Sequence, residues 1–215
     1  IGGVVAKGSA LNMDAENSQN LSALTVIDRD NEANDTSSRT VTFDQKCDPN
    51  QKSDISLWGE EYQFSARVGQ LRSEVFGEFD SLDENKITRL AKTYIYYGFG
   101  AEAAQILQLL PDQGSDFLIL KSLAQIVDGG RVREFNPFQG KHGCRGPEAL
   151  WAALAEGHLI DEQETSIVLS AFSKLPPHLR QILGPEVSRL FADAGDIDGA
   201  EAVLRAVTRA GVEAT

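Results

Sequence analysis

The chain has 215 residues, with 32 Asp and Glu against 20 Lys and Arg, and so carries a formal charge of −12 at neutral pH. That acid excess argues against partners recognised through phosphate, nucleic acid or an anionic membrane surface, because both draw on Lys and Arg. No stretch reaches the roughly 18–20 consecutive apolar residues of a membrane helix, so no membrane insertion is expected, and a 41 % hydrophobic share is enough for a sizeable core.

Residues 1–46 form a polar, acidic leader in which 19 positions are Ser, Thr, Asn or Asp and Phe43 is the sole aromatic. So polar a segment does not order itself unaided. It begins at Ile1 rather than Met, which reads as a processed product or a piece of something longer. Two short runs, Leu21 to Ile27 and Arg39 to Phe43, alternate with period two and predict a β-hairpin around the turn-forming stretch 28–38. A linker without structure is the alternative. Asp28, Asp30 and Glu32 have the look of a calcium loop, but Ala33 stands where its glycine belongs, so a solvated acidic turn is expected.

From about residue 55 the apolar spacing becomes helical. Ser81 to Glu84 reads as a capping box ahead of Ile87, Leu90, Ala91 and Tyr94, predicting a helix to about Tyr97 that stops at Gly98. A second helix runs from Gly100 over Ala103, Ile106, Leu107 and Leu110 to Pro111. A third, capped by Ser115, carries Phe117, Leu120, Leu123 and Val127 to Gly129. Residues 131–146 lack a helical period and predict a loop, after which Pro147 starts a helix burying Leu150, Trp151 and Leu154.

Asp161 with Glu164 repeats the capping pattern. Pro176-Pro177 and Pro185 predict two short helices, the first through Leu183 and the second through Phe191 to Gly195. A last helix from Ile197 is expected to bury Ala200, Val203, Leu204 and Val207. The fold class is therefore all-α, with eight or nine helices over 47–215.

The chain also resembles itself. Cys47 and Cys144 lie 97 residues apart, as do Gly98 and Gly195, and each cysteine is followed by Leu-Trp, at Leu57-Trp58 and Leu150-Trp151. Two related halves, about 47–143 and 144–215, follow from this. The glycine-centred units carry Leu90-Ala91, Tyr94, Ala103 and Leu107 around Gly98, and Val187-Ser188, Phe191, Ala200 and Leu204 around Gly195. In this they resemble the tetratricopeptide repeat, although the period is not 34 residues. The resemblance implies a solenoid of stacked helix pairs that binds other proteins; a generic helical bundle is the alternative.

The two cysteines cannot make a zinc site, and His142 lacks a second ligand pair at metal spacing, so neither metal nor cofactor is expected. A Cys47–Cys144 disulfide would place the protein in a periplasm or outside the cell; free thiols in a cytosolic protein are the alternative. In a regular stack, however, positions four helices apart would be about 20 Å from one another, so the bridge needs a loop excursion or a twofold relation between the halves. A catalytic Cys144 with His142 is a remoter reading. His158 and His178 are expected at helix ends, Glu60-Glu61 on a solvated face, and Asp193, Asp196 and Asp198 near the start of the last helix.

No catalytic constellation stands out. The expected function is therefore a non-catalytic helical-repeat domain that binds a protein or peptide, in the bacterial cell envelope. An accessory domain of an envelope hydrolase, with its catalytic part outside this chain, is the alternative. Tyr94, Tyr96, Tyr97 and Phe99 mark the candidate contact surface, since four aromatics in six residues exceed what one core-facing stripe can use.

Overall fold

In the computed structural model the chain falls into two units, Ile1–Thr40 and Val41–Thr215. The structure describes residues 47–49, 52–59, 63–75, 82–111 and 114–213. The expected hairpin, the acidic turn around Asp30, Ser81 and Glu60-Glu61 all lie outside the described residues.

Among the described residues the protein is all-α. A 3-10 turn, Ile55–Trp58, is followed by eight helices: α1 Phe64–Glu74, α2 Glu84–Tyr96, α3 Gly100–Leu107, α4 Ser115–Val127, α5 Pro147–Glu156, α6 Glu162–Ser173, α7 Pro177–Asp193 and α8 Ile197–Glu213. None of them is long and apolar enough to cross a membrane.

Caps set most of these boundaries. Asp83, not Ser81, caps α2, its carboxylate accepting from the backbone N–H groups of Asn85 and Lys86 at 3.0 and 3.2 Å. The reason is proximity: the residue directly before the first helical turn reaches the orphan donors, and Ser81 is two positions too early. Asp161 caps α6 by accepting from Glu164 N at 2.8 Å. Gly114 occupies the cap position of α4, with Ser115 as its first helical residue.

Gly98 and Gly195 end α2 and α7 with φ of +88° and +82°, a backbone conformation costly to other residues. Each belongs to the same hydrogen-bond motif. Gly98 N donates to Ile95 O and Phe99 N to Tyr94 O; 97 residues on, Gly195 N donates to Ala192 O and Asp196 N to Phe191 O. This doubly bonded turn satisfies the last carbonyls of one helix and directs the chain into the next. Ala103 and Ala200, both buried, follow five residues after the glycines and pack the second helix of each pair onto the first.

Two expectations change. Pro185 does not separate two helices but lies inside one continuous α7 of 17 residues. A proline removes one ladder bond and disturbs one turn, whereas α7 is held by buried Leu179, Leu183, Val187, Leu190 and Phe191 on both sides of it. Leu204 is 50 % exposed rather than buried. The buried stripe of α8 runs through Ala200, Val203, Ala206 and Ala210, and Leu204 points one residue away from it, about 100° around the helix.

Helix α5 is the centre of the fold. Every residue from Glu148 to Ala155 is buried, and α4, α6 and α7 all pack against it. A helix buried on every face is a core helix, and the one charge in the buried run, Glu148, lies in its first turn. Its four alanines, at 149, 152, 153 and 155, let neighbours approach closely.

Helices α3 and α4 meet even more tightly. A Cβ on Gly100 would lie 2.2 Å from Ala124 O and 2.8 Å from Asp128 N, both backbone atoms that cannot rotate away. We expect Gly100→Ala to lower stability by about 1–3 kcal/mol through forced separation of the two helices. Gly69→Ala on α1, where nothing lies within 4 Å of the new methyl, should instead raise it by about 0.5–1 kcal/mol. Urea midpoints of the two variants decide; equal shifts would refute the packing account.

Candidate functional site

The chain ahead of α1 runs as a strap along the central helix. Cys47 and Cys144 are joined in a disulfide, with their Cα atoms 5.7 Å apart. Asp48 N donates to Glu148 at 2.8 Å, and Trp151 Nε1 donates to Ser53 O at 2.9 Å. Ile55 is then wholly buried. The bridge is thus a loop excursion, because the strap brings Cys47 to the loop just ahead of α5. Cys144 carries no thiol in this state, so nucleophilic catalysis by Cys144 with His142 is not available to it. Glu148, buried, is paired with Lys141 as well as with the strap, which satisfies a charge that would be costly to leave alone.

A cleft of about 380 Å³ opens beside the strap. Arg145 and Lys174 give it two cations, Ser56, Ser166 and Ser170 three hydroxyls, and Ile167 and Leu175 part of an apolar wall.

The four aromatics singled out in the sequence separate in space. Tyr94 is 3 % exposed and belongs to the core, where its hydroxyl accepts from Arg72 Nε at 2.6 Å. Tyr96 and Tyr97 are half-buried, edge to face at 5.0 Å. His178 of α7 lies against both, stacked on Tyr97 with ring centres 5.7 Å apart. Its Nε2 faces Tyr96 O at 2.5 Å and therefore carries the proton. Burial raises the Tyr96 hydroxyl above its ordinary pKa, with the neighbouring Tyr97 adding to the effect.

Phe99 is the outward member, at 40 % exposure. It stacks on Phe64 of α1 with ring centres 4.7 Å apart and planes only 8° from parallel, and Phe64 also meets Tyr97 at 4.9 Å. The ring cluster is therefore built from α1, the α2–α3 turn and α7. Neither Phe64 nor His178 could be assigned to it from spacing, since they lie 35 and 79 positions from Phe99 along the chain.

The third grouping is polar and buried. His142, in the loop before α5, is held between two carboxylates: Nδ1 faces Glu164 of α6, and Nε2 faces Glu156 Oε2 at the end of α5 at 3.1 Å. Glu164 in turn accepts from Ile160 N, and its own N–H is taken by Asp161. The hydrogen bond with Glu164 raises the pKa of His142 above its ordinary value; burial opposes this, and Glu156 adds to the rise. His158 lies beside the group, its Nε2 3.9 Å from Glu156 Oε2 and its ring 5.5 Å from that of His142. The sequence offers Glu164 as part of a capping pattern and His142 and His158 as separate residues, and nothing local links a helix start to a histidine 22 residues away.

No protein-family model, curated protein or solved structure matches this chain.

Proposed function

We propose that this chain is a non-catalytic α-helical repeat domain of the tetratricopeptide-like kind, which binds a protein partner in the periplasm or outside the cell. The observation that carries the proposal is the aromatic face on which Phe64 and Phe99 lie stacked, with Phe99 substantially exposed. Large, rigid rings give contact area at little cost in side-chain entropy, and aromatic residues are enriched at protein interfaces. The face is also supported from beneath by half-buried Tyr97 and His178, so it is presented as a preformed surface.

Two further observations support the proposal. The same turn motif at Gly98 and Gly195, each leading directly into a second helix, fits a repeated helix pair, and a solenoid of such pairs would display the α2–α3 turn along one edge. The Cys47–Cys144 bridge fits an oxidising compartment.

The test is photo-crosslinking in the native host with p-benzoylphenylalanine placed at Phe99, and at Leu204 of α8 as an exposed control outside the ring cluster. We expect a discrete crosslinked species from position 99 alone, lost when Phe64→Ser is added while circular dichroism stays unchanged. The same products from both positions, or none from position 99, would overturn the proposal.

A further inference from the structure

We propose that His142, Glu156 and His158 form a binding site for one divalent transition-metal ion of the zinc type, oriented by Glu164 and open to a fourth ligand. One donor atom from each of the three residues lies within 4.8 Å of the others. Ligands held at about 2.0–2.1 Å around a tetrahedral ion sit about 3.4 Å from one another. The His142–Glu156 separation of 3.1 Å already matches. The 3.9 Å between Glu156 and His158 closes by rotation of the His158 side chain, which is 57 % exposed and free to turn without disturbing the core.

Two histidines and one carboxylate are a ligand set suited to zinc and its neighbours, and three protein ligands leave a position for water or an incoming donor. Glu164 completes the arrangement. Its carboxylate accepts a hydrogen bond from the Nδ1–H of His142, which favours the tautomer that exposes the Nε2 lone pair toward Glu156 and His158. Carboxylate support behind a ligating histidine is the usual outer layer of such sites.

Glu164 is itself held by Ile160 N and Asp161, and both His142 and Glu164 are more than nine-tenths buried. The inner part of the site is therefore preorganised.

One observation distinguishes a metal site from a mere buried salt bridge. Glu156 Oε1 is buried and has no hydrogen-bond partner, and the contact of His142 Nε2 is to Oε2 alone. A cation held through both oxygens of the Glu156 carboxylate and by the two rings would engage Oε1 as well. The ion would sit between His142 Nε2 and the Glu156 carboxylate. It would thereby join the loop before α5, the end of α5, the α5–α6 connection and, through Glu164, α6.

The site shares no residue with the aromatic face, so the two proposals stand or fall separately. The test is titration of the whole chain, stripped with EDTA and dialysed, with Co²⁺ and with Zn²⁺. We expect one ion per chain and the intense visible absorption of four-coordinate Co²⁺. Outer-layer changes weaken such sites by about 10–100-fold, so Glu164→Gln should do so here. His158→Ala removes a direct ligand from an exposed position; it should abolish the Co²⁺ band and weaken Zn²⁺ by roughly 100-fold or more, with the far-ultraviolet circular dichroism intact. Absence of the Co²⁺ band from the wild type, or His158→Ala binding zinc as tightly as the wild type, would sink the proposal.

Discussion

Removal of the Cys47–Cys144 bridge, by Cys47→Ala with Cys144→Ala, is expected to cost about 4–5 kcal/mol of stability. The two residues are 97 positions apart, and closing a loop of that length in the unfolded chain removes about that much conformational entropy. Against a typical domain stability of about 5–15 kcal/mol the loss is large, and for a chain of this size it corresponds to a fall in melting temperature of roughly 10–15 °C. The effect acts mainly on the unfolded state. The folded protein should therefore keep its helical circular dichroism at low temperature, with the strap still held by Asp48 on Glu148 and Ser53 on Trp151. Thermal and urea melts of the double variant beside the wild type measure it. A loss below about 1 kcal/mol would show that the unfolded chain is no freer without the bridge, and the entropic account would be wrong here.

Trp151→Ala should have an effect of similar size, for a different reason. Trp151 is wholly buried on α5 and is among the largest buried side chains of the fold. Large-to-small changes at such positions cost about 3–5 kcal/mol, from lost transfer energy and the cavity left behind. Its indole N–H is also the partner of Ser53 O, and a buried carbonyl deprived of its donor adds a penalty of about 1–3 kcal/mol unless water reaches it.

Trp151→Phe separates the two contributions. It keeps most of the ring and removes the N–H, so about 1–2 kcal/mol should be lost. Because the bond and the disulfide anchor the same strap, Trp151→Phe should have a smaller effect in the cysteine-free background, where the strap is less firmly placed. A double-mutant cycle on urea midpoints reads that coupling directly. Strict additivity would show that bond and bridge hold the chain independently.

How far local signals carried can be judged from particular residues. The α2 and α7 stops at Gly98 and Gly195, the start of α5 at Pro147 and the cap of α6 at Asp161 were all readable, because each depends on backbone and side-chain groups within a turn. Where local rules competed, tertiary packing won. Pro185 is a breaker by its chemistry, yet the apolar residues before and after it bury against the same core and carry α7 through. Leu204 fits a helical apolar pattern but lies beside the stripe that α8 turns inward. Of the four aromatics grouped by spacing, Tyr94 is claimed by the core, whereas Phe99 finds its stacking partner in α1.

The candidate sites were less readable still. The bridge between Cys47 and Cys144 was one of two readings, and the path that permits it, a strap lying on α5, depends on contacts nearly a hundred residues apart. The metal-type cluster gathers His142, Glu156, His158 and Glu164 from a loop, two helix ends and a connection. No sequence spacing among them matches a helix or hairpin ligand pattern.

By itself the sequence determined that the chain from about residue 55 onward is built of helices, where most of them begin and end, and that two glycine turns recur at an interval of 97. Hydrogen bonds and apolar periodicity within a few residues are enough to specify those features. Only the tertiary structure decided that α5 is the buried centre, that Phe64 joins Phe99, and that His142 meets two carboxylates and a second histidine. Those outcomes depend on which helix faces pack together, and packing is a property of the whole chain rather than of any window in it.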